Sequence, residues 1–202
     1  MRISFAGASG TGKSTLAAWL AGRVQLPLNP VGSRSVALEM GLTNEAGEPD
    51  PYLADERRDA EGRPLRAEFQ RRLLAAKVAW ELETPAFVTD RTTLDNAVYA
   101  ILHGAGSIRA QYLKDAVAGM RRYDAVFYCP AETFMRVGGD TARVGGRRAE
   151  DLTAEDARAY HDVFNALLFS LLVKHSSGNL VVLSMEGLEA RKAAVSARLR
   201  LD

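Results

Sequence analysis

The run Gly7-Ala8-Ser9-Gly10-Thr11-Gly12-Lys13-Ser14 fits the pattern G-x-x-x-x-G-K-[ST], and its surroundings restrict the fold more than any other stretch of the chain. Before it, Ile3-Ser4-Phe5-Ala6 reads as a short buried strand; after it, Leu16, Trp19, Leu20 and Val24 recur at helical spacing. A glycine-rich turn between a buried strand and an amphipathic helix is a phosphate-binding device. The glycines let successive backbone N–H groups turn inward around phosphate oxygens, and the helix beginning near Lys13 adds the positive end of its dipole. In that setting Lys13 reaches the β- and γ-phosphates of a nucleoside triphosphate, and Ser14 offers Mg²⁺ a hard oxygen ligand. Gly7, Ser9, Gly10, Thr11, Gly12, Lys13, Ser14 and Thr15 are the candidate nucleotide-binding residues.

Downstream, short apolar runs alternate with helical patterns. Pro27 to Gly32 reads as a short second strand or its exit, ahead of a helix near Ser33 to Met40. Residues 43–62 hold Asn44, Gly47, Pro49, Pro51 and many charges, which reads as a polar excursion instead of core. Excursions of that length in compact domains tend to be functional covers or mobile segments. From Pro64, the series Leu65, Phe69, Leu73, Ala76, Trp80 marks a long amphipathic helix ending near Thr84-Pro85, with an Arg-rich opposite face. Ala86-Phe87-Val88 is a strand closed by Thr89-Asp90-Arg91, and helices follow over about Thr93 to Leu102 and Ile108 to Met120. Ala125-Val126-Phe127-Tyr128 is the next strand. Thr153-Ala154-Glu155-Asp156 resembles a capping box opening a helix that reaches about Lys174. Leu180-Val181-Val182-Leu183 is the last strand, before a C-terminal helix from about Leu188. The alternation predicts an α/β fold with a doubly wound, mainly parallel sheet, helices on both faces and the ligand at the strands' C-terminal edge, and the phosphate loop makes the expected type that of a P-loop NTPase. At 202 residues the chain is read as a single domain, 1–202.

A net charge of +1 argues against a dominant electrostatic pull toward nucleic acid or membrane. Cys129 is the only cysteine, which excludes an intramolecular disulfide and a cysteine-based zinc site, and it reads as a small apolar strand-end residue. His103, His161 and His175 follow no metal-ligand pattern and read as surface or helix-end residues. Lys13 and Arg23 interrupt the N-terminal segment, so no signal peptide is expected and the reading is cytoplasmic.

A phosphate loop serves switches, motors and kinases alike. No N-K-x-D tetrapeptide is present to read a guanine, and Asp59-Ala60-Glu61-Gly62, which fits D-x-x-G, has no strand before it and is read as a chance match. Motors of the AAA+ type commonly end their Walker B strand in an acidic pair; here Asp90 is followed by Arg91, which favours transfer to a bound hydroxyl over hydrolysis. Asp90 is suited to accept the acceptor's proton or to hold the Mg²⁺ shell, so Ser14 and Asp90 are the candidate metal residues. Arg91 is suited to clamp a phosphate or acceptor group, or else to form a structural pair at a helix start. Asp95 reads as a solvent-facing or helix-orienting carboxylate, with an acceptor contact as the alternative. Arg136, Arg143, Arg147 and Arg148 flank Gly138-Gly139 and Gly145-Gly146, which looks like an arginine lid over about 136–150.

The segment Thr89-Asp90-Arg91 through Ala97-Val98-Tyr99 resembles the Asp-Arg segment of small P-loop nucleoside and nucleotide kinases, thymidylate kinases among them. Over most of its length the chain is similar to the ATPase/kinase family that includes the nicotinamide riboside kinase domain, with Arg34 in the second segment and a late arginine loop before a long helix. The compact length also suits phage-encoded kinases, for which the compartment would be the host cytoplasm. The resemblance implies an ATP- and Mg²⁺-dependent phosphotransferase with Lys13, Asp90, Arg91, Arg143 and Arg147 as its catalytic residues. The favoured acceptor is a hydroxyl of a small nucleoside- or nucleotide-like substrate. One alternative is a kinase acting on hydroxymethylated pyrimidine (5-hydroxymethyluracil) in DNA, whose backbone phosphates Arg63, Arg66, Arg71 and Arg72 would track. Another is an ATP-binding regulatory or interaction module. No membrane partner is expected, and a homo-oligomer is compatible with the sequence.

Overall fold

A computed structural model describes residues 1–102, 110–131 and 154–201. Four strands, β1 (Arg2–Ala6), β2 (Phe87–Asp90), β3 (Ala125–Tyr128) and β4 (Leu180–Val182), form a parallel sheet in the order β2-β1-β3-β4. The chain leaves β1 for a neighbour on one side and later returns to its other side. That makes β1 the topological switch point, where open α/β sheets bind their ligands. Phe5 lies in register with both Asp90 and Phe127, so the segments that follow β1, β2 and β3 emerge together at one sheet edge.

Successive strand residues face opposite sides, and both sides are covered. Ile3, Phe5, Val88, Ala125 and Phe127 pack with Leu16 and Leu20 of α1 (Lys13–Val24) and Val195 of α8 (Leu188–Leu199). On the other side Phe87, Val126 and Tyr128 meet α4 (Arg66–Glu83), α5 (Thr93–Leu102), α6 (Ala110–Met120) and α7 (Ala154–His175). No helix among the described residues is long and apolar enough to cross a membrane.

Three expectations change. Pro27 to Gly32 is not a ladder strand: Leu28 makes a single parallel bridge to Val88, flanked by Pro27 and Pro30, which lack the N–H a ladder needs. The polar excursion is tied down by Asx-type turns at Asn44 and Asp59, contains the short helix α3 (Leu53–Glu56), and contributes to a third apolar cluster. There Leu42 and Ala54 pack with Val36 and Ala37 of α2 (Ser33–Glu39) and Phe69 and Leu73 of α4. His161 is neither at the surface nor at a helix end; it is 5% exposed within α7, whereas His175 does close that helix. Asp59 of the D-x-x-G match sits in an exposed turn bonded to Arg63, with no strand leading into it.

Candidate active site

Gly7 to Ser14 bridge the end of β1 and the start of α1, as the motif predicts. At Gly7 the backbone has φ +141°, and a Cβ there would come within 2.4 Å of the Cys129 carbonyl oxygen. Only glycine allows β3 to approach so closely. Gly12, at φ +80°, is the residue before α1, leaving the first-turn N–H groups of Lys13, Ser14 and Thr15 without helical partners and free for an anion. Lys13 is 3% exposed; its ammonium donates to the Ala8 carbonyl and, at 3.2 Å, to the Thr11 hydroxyl. Burial, joined by the Arg91 charge, pulls the Lys13 ammonium down to about 8 against the opposing pull of Asp90 and Asp95. A buried cation with no carboxylate bonded to it among the described residues, only one carbonyl and one hydroxyl, and with orphan N–H groups beside it, fits a polyphosphate.

The end of β2 completes this corner. Ser14 Oγ donates to Asp90 Oδ2, while Asp90 Oδ1 is buried and without a partner. Burial alone would raise the Asp90 carboxyl, but the charges of Lys13 and Arg91 and the Ser14 hydrogen bond outweigh it and hold the group below its usual range. The hydroxyl and carboxylate proposed for Mg²⁺ thus lie together. No cluster of three His, Cys, Asp or Glu side chains accompanies them among the described residues, so an ion would rest on these two groups, waters and phosphate oxygens.

Arg91 has φ +99°, a region that a residue with a bulky side chain occupies only when its surroundings enforce it, and such outliers concentrate at functional sites. Its guanidinium stacks 4.7 Å above the Tyr99 ring, whose hydroxyl is 2.7 Å from Ser9 Oγ. Desolvation works against the charge, yet Tyr99, Asp90 and Asp95 outweigh it and raise the Arg91 pKa further. Asp95 is fully buried, contrary to the solvent-facing reading. It accepts from the Gly7 N–H at 3.1 Å and the Thr92 N–H at 2.9 Å, while the Asp95 N–H donates to Thr92 Oγ1. Thr92 and Asp95 therefore form a capping box at the start of α5, and the same carboxylate tethers the phosphate loop.

From this corner a cavity of about 500 Å³ runs between α2, α4 and α5, within the range of small-molecule sites. Tyr52, Phe69 and Tyr99 give it aromatic surface, and Asn29, Arg66, Gln70, Lys77 and Asn96 give it polar groups. The two cations are held from behind. Arg66 is paired with both Asp55 oxygens and lies 5.6 Å over the Phe69 ring. Lys77, 2% exposed, donates to Thr89 Oγ1 at 2.5 Å and pairs with Glu81 at 3.2 Å. Glu81, fully buried, also accepts from Arg122 and the Tyr123 hydroxyl, both at 3.0 Å.

The nucleotide-binding candidates, Asp90 and Arg91 are thus brought together, with Thr15 exposed on the first turn of α1. The lid arginines Arg136, Arg143, Arg147 and Arg148, and His103, lie outside the described residues. Sequence reasoning missed Asn29, Gln70, Lys77 and Asn96 altogether and misassigned Arg66, which is 5% exposed and inside the cavity instead of on the outer face. A signal was present: Arg66, Gln70, Lys77 and Glu81 follow at intervals of four, seven and four, the spacing of one helix face, and that face also carries Leu73 and Leu74.

Residues 2–176 match the model of the AAA_28 family, described as an AAA domain. The chain belongs to that family. No curated protein matches this AAA domain by sequence. Among solved structures, a deoxyadenosine kinase from M. mycoides with dCMP and dCDP bound superposes at a TM-score of 0.64 with 16% identity, covering 99% of this chain and 98% of that one. NadR in complex with NAD and AMP-PNP gives 0.63 at 15% identity over 99% of this chain and 49% of that one. A shikimate kinase from Acinetobacter baumannii in complex with shikimate gives 0.59 at 14%, covering 98% and 93%. The AAA domain therefore has the P-loop NTPase fold in a form shared with small-molecule kinases.

Proposed function

We propose that this AAA domain transfers the γ-phosphate of ATP to a hydroxyl of a nucleoside- or nucleotide-like acceptor. One observation carries the reading. Of nine buried side-chain polar atoms without a hydrogen-bond partner among the described residues, five belong to residues that line this cavity: Asn29 Nδ2, Gln70 Oε1, Asp90 Oδ1, Arg91 Nη1 and Asn96 Oδ1. Buried polar groups are normally satisfied, and unmet donors and acceptors around one cavity await a ligand with matching groups. Aromatic walls beside carboxamides suit a planar heterocycle with both donors and acceptors at its edge.

When bound, ATP supplies the transferable phosphoryl group and Mg²⁺ neutralises phosphate charge. The protein's part is positioning and electrostatics. Lys13 and the first turn of α1 hold phosphate oxygens. Asp90, kept ionised, lies where the phosphate corner opens into the cavity and takes the acceptor's proton or orients the metal shell. Arg91, fixed by Tyr99 and Asp95, supplies a further cation, and Arg143 and Arg147 are proposed to close over the phosphates. The family's name does not oppose this, because the acidic pair expected of a hydrolytic motor is replaced by Asp90-Arg91.

The test offers ATP with a panel of nucleosides, nucleotides and duplex DNA containing 5-hydroxymethyluracil, and identifies phosphorylated products by mass spectrometry. Phosphate on a free nucleoside or nucleotide supports the reading. Exclusive labelling of the duplex would transfer the function to DNA, and the absence of any acceptor-dependent ADP would leave a nucleotide-binding module.

A further inference from the structure

We infer that Arg191, on α8, is a positioning residue for the phosphate loop, supplied from outside the residues 2–176 that match the family. The inference rests on nucleotide binding by the loop and is independent of the acceptor. Arg191 is 4% exposed. Its Nη1 donates to the Thr11 carbonyl at 2.9 Å, and its Nε donates to the Met185 carbonyl at 3.1 Å.

The first bond has a directional consequence. A trans peptide is planar, with C=O and N–H pointing to opposite sides. Pinning the Thr11 carbonyl toward Arg191 therefore turns the Gly12 N–H away from Arg191. Gly12, with φ +80° and a would-be Cβ 3.9 Å from Nη1, has the freedom to accept that orientation. The Met185 bond anchors the other side of the fork, so α8 and the turn before it set the angle of the Thr11–Gly12 peptide.

Charge is the second argument. Arg191 bonds to carbonyls, and no carboxylate pairs with it among the described residues. A buried guanidinium without a counter-ion carries a desolvation cost that an adjacent polyphosphate offsets. Arg191 thus joins Lys13 in making the loop attractive to anions, and its contribution should grow with the ligand's negative charge.

The experiment measures affinities of the full chain for AMP-PNP and ADP with Mg²⁺ by calorimetry, alongside thermal melting. Arg191→Ala is expected to weaken AMP-PNP about tenfold and ADP about threefold, the scale of one charge-assisted hydrogen bond. Arg191→Lys should recover only part of the loss, because an ammonium is a point charge and cannot reproduce the planar fork. Lys192→Ala, which removes a cation stacked on Trp19 one residue further along, should leave both affinities unchanged. Unchanged AMP-PNP affinity in folded Arg191→Ala, or equal losses for both nucleotides, would overturn the inference. Should Arg191→Ala fail to fold, the same criterion applies to Arg191→Lys: a graded loss supports the inference and an unchanged or equal one refutes it. A wild-type chain that bound neither nucleotide would refute the nucleotide site itself, a result distinguishable from failure of Arg191 alone.

Discussion

Eight consecutive residues make the proposed phosphate end of the cleft, whereas the proposed acceptor end draws on Asn29 to Arg34, Pro51-Tyr52, one face of α4, the end of β2 and α5. The contrast follows from what each end must recognise. Phosphates are the same in every nucleotide and are held by backbone N–H groups, so the requirement falls on glycines at fixed spacing in one short loop. An acceptor has its own shape and hydrogen-bonding edge, which side chains from several elements must match. Their partners come from other elements, 11 to 42 residues away: Arg66 leans on Asp55, Lys77 on Thr89, and Glu81 on Arg122 and Tyr123.

The sharpest way to break this division is at Lys13. Because its bonds are to Ala8 and Thr11 of the loop, Lys13→Ala should cost turnover about a thousandfold, the upper scale for removal of one preorganised donor, while melting stays near wild type. Normal turnover by the folded variant would remove the phosphate site. Asp90 stands at the junction of the two ends. Asp90→Asn keeps the shape but loses the charge, and turnover should fall about a hundredfold with ATP affinity changed less than threefold. A matching loss in both would make Asp90 a general positioning group.

The same contrast governs what the sequence disclosed. The sheet, its parallel direction and the phosphate loop were legible because the strand–loop–helix pattern is local. Asp90-Arg91 was legible because a polar pair closes a strand as short as Phe87–Asp90. Gln70 and Asn96 were not, since a carboxamide in an amphipathic helix looks solvated until the opposing wall is known. Asp95 was read only in part for a related reason: its helix-orienting role is local, through the Thr92 capping box, but the Gly7 N–H that the same carboxylate also accepts from is 88 residues away in the chain.

At the acceptor end, Gln70→Leu should raise the acceptor KM about tenfold, as expected when a buried polar match is lost, and leave ATP affinity unchanged. A change confined to ATP binding would show that the two ends are not separate. At the phosphate end, pH sharpens the comparison. Burial pulls Lys13 down to about 8 without ligand, and phosphate binding must raise that value, so ATP affinity should hold below pH 8 and fall by up to about tenfold per unit above it. Calorimetry between pH 6.5 and about 9.5 should show the decline in wild type and its absence in Lys13→Ala.

The smallest effect is expected on the outer face of α4, where the DNA alternative would need free cations. Arg63 is bonded to Asp59 and Glu61, and Arg71 and Arg72 share Glu68, while Arg66 faces the cavity against Asp55. Four arginines thus meet four carboxylates, and a phosphate backbone would have to displace those pairs before using the face. The exposed pairs, Arg63 with Asp59 and Glu61 and Arg71 and Arg72 with Glu68, contribute little to stability. Replacing Arg71 and Arg72 by Ala should therefore change transfer to a free nucleoside by less than about twofold, with little dependence on salt. A DNA-directed enzyme would behave otherwise: each lost phosphate contact would lower duplex phosphorylation and reduce its steep salt dependence by about one unit of slope. Comparing wild type and the double variant on both acceptors, from low to moderate salt, therefore tests whether the acceptor end stops at the cavity or continues along α4.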